Sequence, residues 1–154
     1  METSPVDIGP LRILIVDDVQ VNCRVLSGIL GKYGICDIVN NGRDAVTSFQ
    51  KAWKRNAPYH LMCLDIMLPD IEGLKVFEVL RKMETAMQVE ASQRVHVIVI
   101  TALDNAAHHA KAWELGCDGY LVKPIFRNAL TDCLKKAGLL ETPGHPKKDA
   151  PQEP

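Results

Sequence analysis

The stretch His60-Leu-Met-Cys-Leu-Asp-Ile-Met-Leu-Pro-Asp70 decides the predicted fold. Its apolar run, Leu61–Leu64, is short and ends in turn residues, which is typical of a buried strand. Asp65 follows that run directly, and open parallel α/β sheets bind their ligands at the carboxyl ends of the strands. Asp65 is therefore a candidate functional carboxylate, although capping the following turn is a common alternative role for aspartate.

Composition indicates a globular domain and argues against binding to nucleic acids or membranes. The chain has 154 residues, 47% hydrophobic and 24% charged, and a formal net charge of -1. A protein that binds phosphate backbones needs a basic face, so no direct DNA binding is expected. No apolar stretch is long enough to cross a membrane and no signal-peptide start is present, so a cytoplasmic location is expected. Five scattered cysteines without a Cys-x-x-Cys pair favour reduced thiols.

Apolar runs and helical spacing alternate along the chain. Further strands are predicted at Leu11–Val16, Ile35–Val39, Val95–Ile100 and Tyr120–Val122. Helices are predicted at Gln20–Tyr33, ended by Gly34, from Asn41 to near Asn56, from Gly73 to about Met87, and at Ala106–Leu115 and Arg127–Ala137. Strand and helix thus alternate five times, which predicts a doubly wound α/β fold, with a five-stranded parallel sheet between two layers of helices.

The two ends of the chain differ in composition from this alternating region. Residues 1–10 contain Pro5, Gly9 and Pro10 and few apolar side chains, so a flexible leader is predicted. Residues 141–154 hold four prolines and two lysines and are predicted to be a disordered, Pro-rich tail. The predicted domain is therefore 11–140.

Polar residues follow four of the five predicted strands. They are Asp17 and Asp18 after the first strand, Asp65 after the third, Thr101 after the fourth and Lys123 after the fifth. Each could be structural on its own, as a helix cap, a β-branched strand residue or a surface charge. Because these strand ends open onto one crevice in a doubly wound sheet, a common site is favoured.

This set of side chains suits phosphoryl transfer to a carboxylate. Three close carboxylates repel one another, and their hard oxygen atoms suit Mg²⁺. A carboxylate in line with a phosphorus atom can act as the nucleophile, while an ammonium and a hydroxyl neutralise the phosphoryl oxygens. The dinucleotide motif Gly-x-Gly-x-x-Gly and the nucleoside-triphosphate motif Gly-x-x-x-x-Gly-Lys-Ser/Thr are both missing.

Four motifs together resemble the response regulator receiver domain of two-component signalling. They are Ile13-Leu-Ile-Val-Asp-Asp18, Leu64-Asp-Ile-Met-Leu-Pro-Asp-Ile-Glu-Gly73, Val99-Ile-Thr-Ala102 and Gly119-Tyr-Leu-Val-Lys-Pro124. The resemblance covers roughly Leu11–Leu140, and both chemotaxis-type and hybrid-kinase-type receivers are similar. It implies the flavodoxin-like strand order 2-1-3-4-5 with five helices.

The resemblance also implies a metal and a ligand set. Asp65 would accept the phosphoryl group. Asp17, Asp18 and Asp65 would hold Mg²⁺ together with the backbone carbonyl of Met67.

Three more roles follow from the same resemblance. Thr101 and Lys123 would bind phosphoryl oxygens, and Thr101 and Tyr120 would form a switch. The peptide bond between Lys123 and Pro124 would be cis, which is accessible before proline.

These expectations combine into a phosphorelay function. The chain is expected to be a single-domain response regulator that is not a classical enzyme but assists its own Mg²⁺-dependent phosphorylation and dephosphorylation. A histidine kinase or histidine phosphotransfer protein would phosphorylate it on Asp65, and it would then bind a downstream protein target or form a phosphorylation-dependent dimer. Met67 and Leu103, two places beyond Asp65 and Thr101, cannot orient an attacking water, so slow loss of the phosphate is expected.

Two alternatives remain open from the residues. One is a receiver that takes no phosphate and serves as a constitutive protein-interaction module. The other is a flavin protein or a haloacid-dehalogenase-like enzyme on a similar sheet. The second alternative is disfavoured because Met67 stands where such a dehalogenase has its second aspartate, and aromatic residues make up only 5% of the chain.

Overall fold

The computed structural model describes residues 10–140. Its strands and helices, in chain order, are β1 (Leu11–Val16), α1 (Gln20–Leu30), β2 (Gly34–Val39), α2 (Gly42–Lys54), β3 (Leu61–Leu64), α3 (Gly73–Ala86), β4 (His96–Thr101), α4 (Ala106–Glu114), β5 (Gly119–Val122) and α5 (Arg127–Lys136). A short 3₁₀ helix, Ala91–Gln93, lies between α3 and β4. The predicted tail and all of the predicted leader except Pro10 lie outside the described residues.

The five strands form one parallel sheet in the order β2-β1-β3-β4-β5, which confirms the predicted fold class. The register pairs Val16 with Leu64, so the residues that follow them, Asp17 and Asp65, begin side by side. In the last two strands of the order, β4 and β5, Thr101 pairs with Val122, and Lys123 is the residue after Val122. The carboxyl ends of the paired strands are therefore in register, and the candidate residues follow them at the same edge of the sheet.

Side chains alternate between the two faces of the sheet, and each face has its own apolar core. One core packs Leu14, Val16, Met62, Leu64, Val97 and Val99 against α2 and α3, including Phe49, Phe77 and Leu80. The other packs Ile13, Ile15, Leu61, Cys63, Ile98 and Ile100 against α1 and α5, including Leu26, Leu30, Leu130 and Leu134. All four residues of β3 are buried, as expected for the central strand of a sheet covered on both faces.

Helix boundaries agree with the sequence where a side-chain cap marks them. Asn41 accepts a hydrogen bond from the N–H of Asp44, and Asn105 accepts one from the N–H of His108. The predicted end of α1 is wrong, because the helix stops at Leu30 and Gly34 begins β2 instead. A Cβ atom at Gly34 would overlap the carbonyl oxygen of Leu11, so strand pairing requires the glycine there. Within residues 10–140, no helix combines the length and apolar character needed to span a membrane.

Candidate functional site

Three carboxylates from two neighbouring strand ends meet at the carboxyl edge of the sheet. Asp17, Asp18 and Asp65 each place a carboxylate oxygen within 4.8 Å of the others. Asp17 and Asp65 are buried, with 1% and 3% of their surface exposed, whereas Asp18 is exposed. The structure therefore brings together the predicted acidic residues and leaves one of them open to solvent.

Lys123 bridges the two buried carboxylates. Its Nζ lies 3.0 Å from Oδ2 of Asp17 and 3.0 Å from Oδ2 of Asp65. Burial alone would lower the pKa of Lys123, but the hydrogen bonds to Asp17 and Asp65 outweigh it and hold the pKa above its usual value. The lysine is thus a fixed positive charge at this site.

Both carboxylate oxygens of Asp65 accept hydrogen bonds. Oδ1 accepts a hydrogen bond from the N–H of Met67 at 3.0 Å, and Oδ2 accepts one from Lys123. Burial raises the pKa of Asp65, and these two hydrogen bonds only partly offset it. Gly73 supports the position, because a Cβ there would overlap the carbonyl oxygen of Asp65. The start of α3 therefore packs directly on the backbone of Asp65.

The charge and donor set of the site fit a divalent cation. Three carboxylates against one ammonium leave a formal charge of −2. All the acidic donors are hard carboxylate oxygens, which suit Mg²⁺ better than soft metals. A cavity of about 530 Å³ opens at this point and is lined by Asp18, Asp65, Met67 and Lys123, among others. Met67 thus lies beside the acidic residues, as its predicted role requires.

Two residues that were not predicted from the sequence support the backbone of Asp17. The side-chain amide of Asn40 donates to the backbone carbonyl of Asp17 at 2.9 Å, and the Sγ of Cys23 donates to the same oxygen at 3.2 Å. Asn40 directly follows β2, so the rule that located the other candidates also points to it. Cys23 carries no comparable signal, because an apolar helix face predicts only a packed thiol.

Asp70 fixes the loop after β3 to the start of α2. Its carboxylate accepts hydrogen bonds from the N–H groups of Gly42 at 2.8 Å and Arg43 at 3.0 Å. These bonds from Gly42 and Arg43 hold the pKa of Asp70 below its usual value. A carboxylate at a helix N-terminus is a favourable arrangement, and here it ties down the segment that carries Met67.

Thr101 and Tyr120 both contact the segment that follows β4. Thr101 is fully buried, and its Oγ1 accepts a hydrogen bond from the N–H of Leu103 at 3.2 Å. Its neighbour Ala102 lines the cavity. The hydroxyl of Tyr120 donates to the carbonyl of Leu103 at 3.5 Å, and its ring packs against His109 of α4. The two predicted switch residues therefore contact opposite ends of Leu103.

The segment after β5 begins with a cis peptide bond. The Lys123–Pro124 peptide bond is cis, as the resemblance implied.

The relatives of the chain include transcriptional regulatory proteins and hybrid histidine kinases. The chain is 38% identical over 115 residues to the transcriptional regulatory protein PcoR of Escherichia coli, which is 74% of this chain and 45% of PcoR. It is 30% identical over 128 residues to the hybrid signal transduction histidine kinase L of Dictyostelium discoideum, covering 82% of this chain and 7% of the kinase. The chain thus spans about half the length of PcoR and a small part of the kinase.

A solved structure of a receiver domain is also similar to this chain. The receiver domain of Ssk1 from Saccharomyces cerevisiae, crystallised with the histidine phosphotransfer protein Ypd1, superposes with a TM-score of 0.66 at 26% identity. The superposition covers 82% of this chain and 92% of that chain. Residues 13–135 match the response regulator receiver domain, a range that begins in β1 and ends in α5 and so takes in the acidic cluster and its lysine. By this match and this fold, the chain belongs to the response regulator receiver domain family of two-component signalling.

Proposed function

We propose that Asp65 accepts a phosphoryl group from a phosphohistidine of a kinase or phosphotransfer protein. A carboxylate oxygen of Asp65 would form the new P–O bond while the P–N bond to the donor histidine breaks, leaving the imidazole to be reprotonated. The observation that carries this proposal is the Lys123 ammonium, which lies 3.0 Å from both buried carboxylates at the wall of the cavity. It can neutralise phosphoryl oxygens without moving far.

Asp17, Asp18, Asp65 and the carbonyl of Met67 would hold Mg²⁺. The bound ion would supply positive charge against the phosphoryl oxygens. Asp18 is the exposed member of the cluster, so it can meet a cation arriving from solvent. Lys123 holds the two buried carboxylates in place before the ion arrives.

The partner side of the proposal rests on the relatives. The Ssk1 receiver is described with the phosphotransfer protein Ypd1, which supports a phosphotransfer protein or histidine kinase as the donor here. The phosphorylated chain would bind a downstream protein through the surface formed by α4 and β5, or it would form a phosphorylation-dependent dimer. These residues would not bind DNA directly, and the protein would act in the cytoplasm. PcoR, of which the chain spans about half, is named a transcriptional regulatory protein.

The test is phosphorylation of the full chain by acetyl phosphate with Mg²⁺, followed by intact-mass and peptide analysis. We expect one phosphoryl addition, located on Asp65, that disappears without Mg²⁺ and in Asp65→Asn. Asp132→Asn, which removes an exposed carboxylate on α5, should be phosphorylated like the wild type. Absence of any addition to the wild type, with acetyl phosphate and a phosphorylated phosphotransfer protein alike, would favour the constitutive interaction module instead.

A further inference from the structure

A second cavity lies at the amino ends of the strands, at the edge of the sheet opposite the acidic site. Its volume is about 310 Å³, and its lining includes Arg12, His60, Arg94 and His96. Arg12 is the second residue of β1, His60 directly precedes β3, and His96 begins β4. We call this cavity the amino-end pocket.

Backbone hydrogen bonds fix three of these basic residues in adjacent register. The N–H of His60 donates to the carbonyl of Arg12 at 2.8 Å, and the N–H of His96 donates to the carbonyl of His60 at 3.0 Å. The guanidinium Nε of Arg12 also donates to the carbonyl of Pro58 at 2.9 Å. The basic side chains therefore converge because of the sheet itself.

The contact between Arg12 and His60 leaves two donors facing each other. The backbone N–H of Arg12 donates to Nδ1 of His60 at 2.9 Å, so Nδ1 acts as the acceptor and the neutral ring carries its proton on Nε2. That Nε2 lies 3.3 Å from Nη2 of Arg12, which can only donate. Neither group satisfies the other, and both need an acceptor oxygen.

The charge around these donors is positive. Among the described residues that line the pocket, none is acidic, and Arg94 adds a second guanidinium whose Nε donates to the carbonyl of Val89. Two acids contact residues of the lining. Oδ2 of Asp118 lies 3.2 Å from Nδ1 of His96 and accepts from the N–H of Val97, and Oδ2 of Asp37 accepts from the hydroxyl of Tyr59 at 2.6 Å. Burial, then the charges of Arg12 and His96, lowers the pKa of His60, which keeps its ring neutral and Nδ1 free to accept.

We propose that the amino-end pocket binds a small oxyanion, a phosphate monoester or a carboxylate, whose oxygen accepts from both Arg12 and His60. Arg94 lies at the same pocket and contributes further positive charge. A water could satisfy the two donors, but the concentration of positive charge favours an anion. This proposal is independent of phosphorylation at Asp65, since the two cavities lie at opposite edges of the sheet.

The test follows the imidazole nitrogen resonances of the full chain during titration with inorganic phosphate, glycerol 2-phosphate or succinate. We expect a saturable shift of His60 Nε2 and a raised pKa of His60, since a bound anion favours the imidazolium. Sodium chloride at matched ionic strength should not reproduce it. The phosphate and succinate arms distinguish a phosphoryl ligand from a carboxylate.

Matched variants locate the anion. Arg94→Gln should weaken binding about tenfold, since it removes one of the two guanidinium charges at the pocket. Arg94→Lys, which keeps the charge, should weaken it less. Arg24→Gln, which removes an exposed arginine on α1 outside the lining, should bind like the wild type.

Two results would overturn the proposal. One is a His60 response that does not saturate or that sodium chloride reproduces, which would mean that water alone fills the gap. The other is equal binding by Arg94→Gln, Arg94→Lys and the wild type, or loss of the His60 response in Arg24→Gln, which would place the anion elsewhere.

Discussion

The ring of Tyr120 packs against the imidazole of His109, with centroids 4.6 Å apart and ring planes tilted by 59°. His109 in turn accepts a hydrogen bond through Nε2 from the indole N–H of Trp113 at 3.3 Å. Tyr120 on β5 is thus connected to α4 by an aromatic contact at the surface. Any movement of Tyr120 must change the surroundings of Trp113.

This arrangement makes Trp113 a reporter of the proposed switch. With Mg²⁺ and beryllofluoride, which mimics the phosphoryl group, we expect the fluorescence of Trp113 to change in a Trp53→Phe background. Trp53 is suitable for replacement because its indole nitrogen is buried without a partner. Thr101→Ala and Tyr120→Ala should abolish the change, and Thr131→Ala should retain it. An unchanged response in both of the first two variants would contradict the switch.

A second prediction concerns the ion at the acidic site. Asp18→Asn should raise the thermal midpoint of the metal-free protein, because it relieves repulsion among three close carboxylates. The same variant should bind Mg²⁺ about tenfold more weakly, since a charge-assisted contact contributes about 1.5–3 kcal/mol. Thermal unfolding over a range of Mg²⁺ concentrations measures both effects, with Asp132→Asn as the control. A midpoint that rises with Mg²⁺ equally in Asp18→Asn and wild type would contradict this assignment.

The lifetime of the phosphate should be long. The exposed side chains of Met67 and Leu103, at 51% and 45%, cannot hydrogen-bond a water near Asp65. Replacing both by amides, in Met67→Asn with Leu103→Gln, should speed hydrolysis by about tenfold through better orientation of that water. The measurement is loss of radioactive phosphate after removal of the donor. Loss within seconds from the wild type would show that the premise is wrong.

A buried ion pair should contribute strongly to stability. Nη1 of Arg81 lies 2.7 Å from Oε1 of the fully buried Glu84, and Arg81 also donates to the carbonyls of Val95 and Leu115. Arg81→Met would remove the cation that pairs with the buried Glu84, at a cost of about 3 kcal/mol in the free energy of unfolding.

Urea unfolding measures that cost against an exposed pair on the same helix. Lys75 and Glu78 of α3 lie 3.6 Å apart with the lysine side chain 59% exposed, so Lys75→Met should cost less than about 1 kcal/mol. Equal losses from both substitutions would show that burial does not strengthen the Arg81–Glu84 pair.

Stability should also fall at alkaline pH through Tyr59. Burial, together with the 2.6 Å hydrogen bond that its hydroxyl donates to Asp37, raises the pKa of Tyr59 from 10.0 to about 12. Because the folded state holds the proton more tightly, this stabilisation is present below pH 10.0 and is lost as the pH rises towards about 12. The free energy of unfolding should therefore decline more steeply over that range in the wild type than in Tyr59→Phe. Parallel curves would contradict the prediction.

Local patterns in the sequence determined the strand and helix alternation, the caps at Asn41 and Asn105, and the acidic residues that follow the strands. These features depend on side-chain periodicity and on contacts within a few residues, so they can be predicted from neighbouring positions. The predicted end of α1 is wrong because Gly34 is required for the pairing of β2 with β1, and local sequence patterns do not reveal that contact.

Only the tertiary structure decided which charges meet. Lys123 bonds to Asp17, which lies 106 residues away in the sequence, and to Asp65, which lies 58 residues away. Arg12 contacts His60, which lies 48 residues away. Sequence spacing placed the first set at one edge of a sheet, but it could not show which oxygens the ammonium would reach. The amino-end pocket had no sequence signal, because its donors face each other only after strand register has fixed the backbones that carry them.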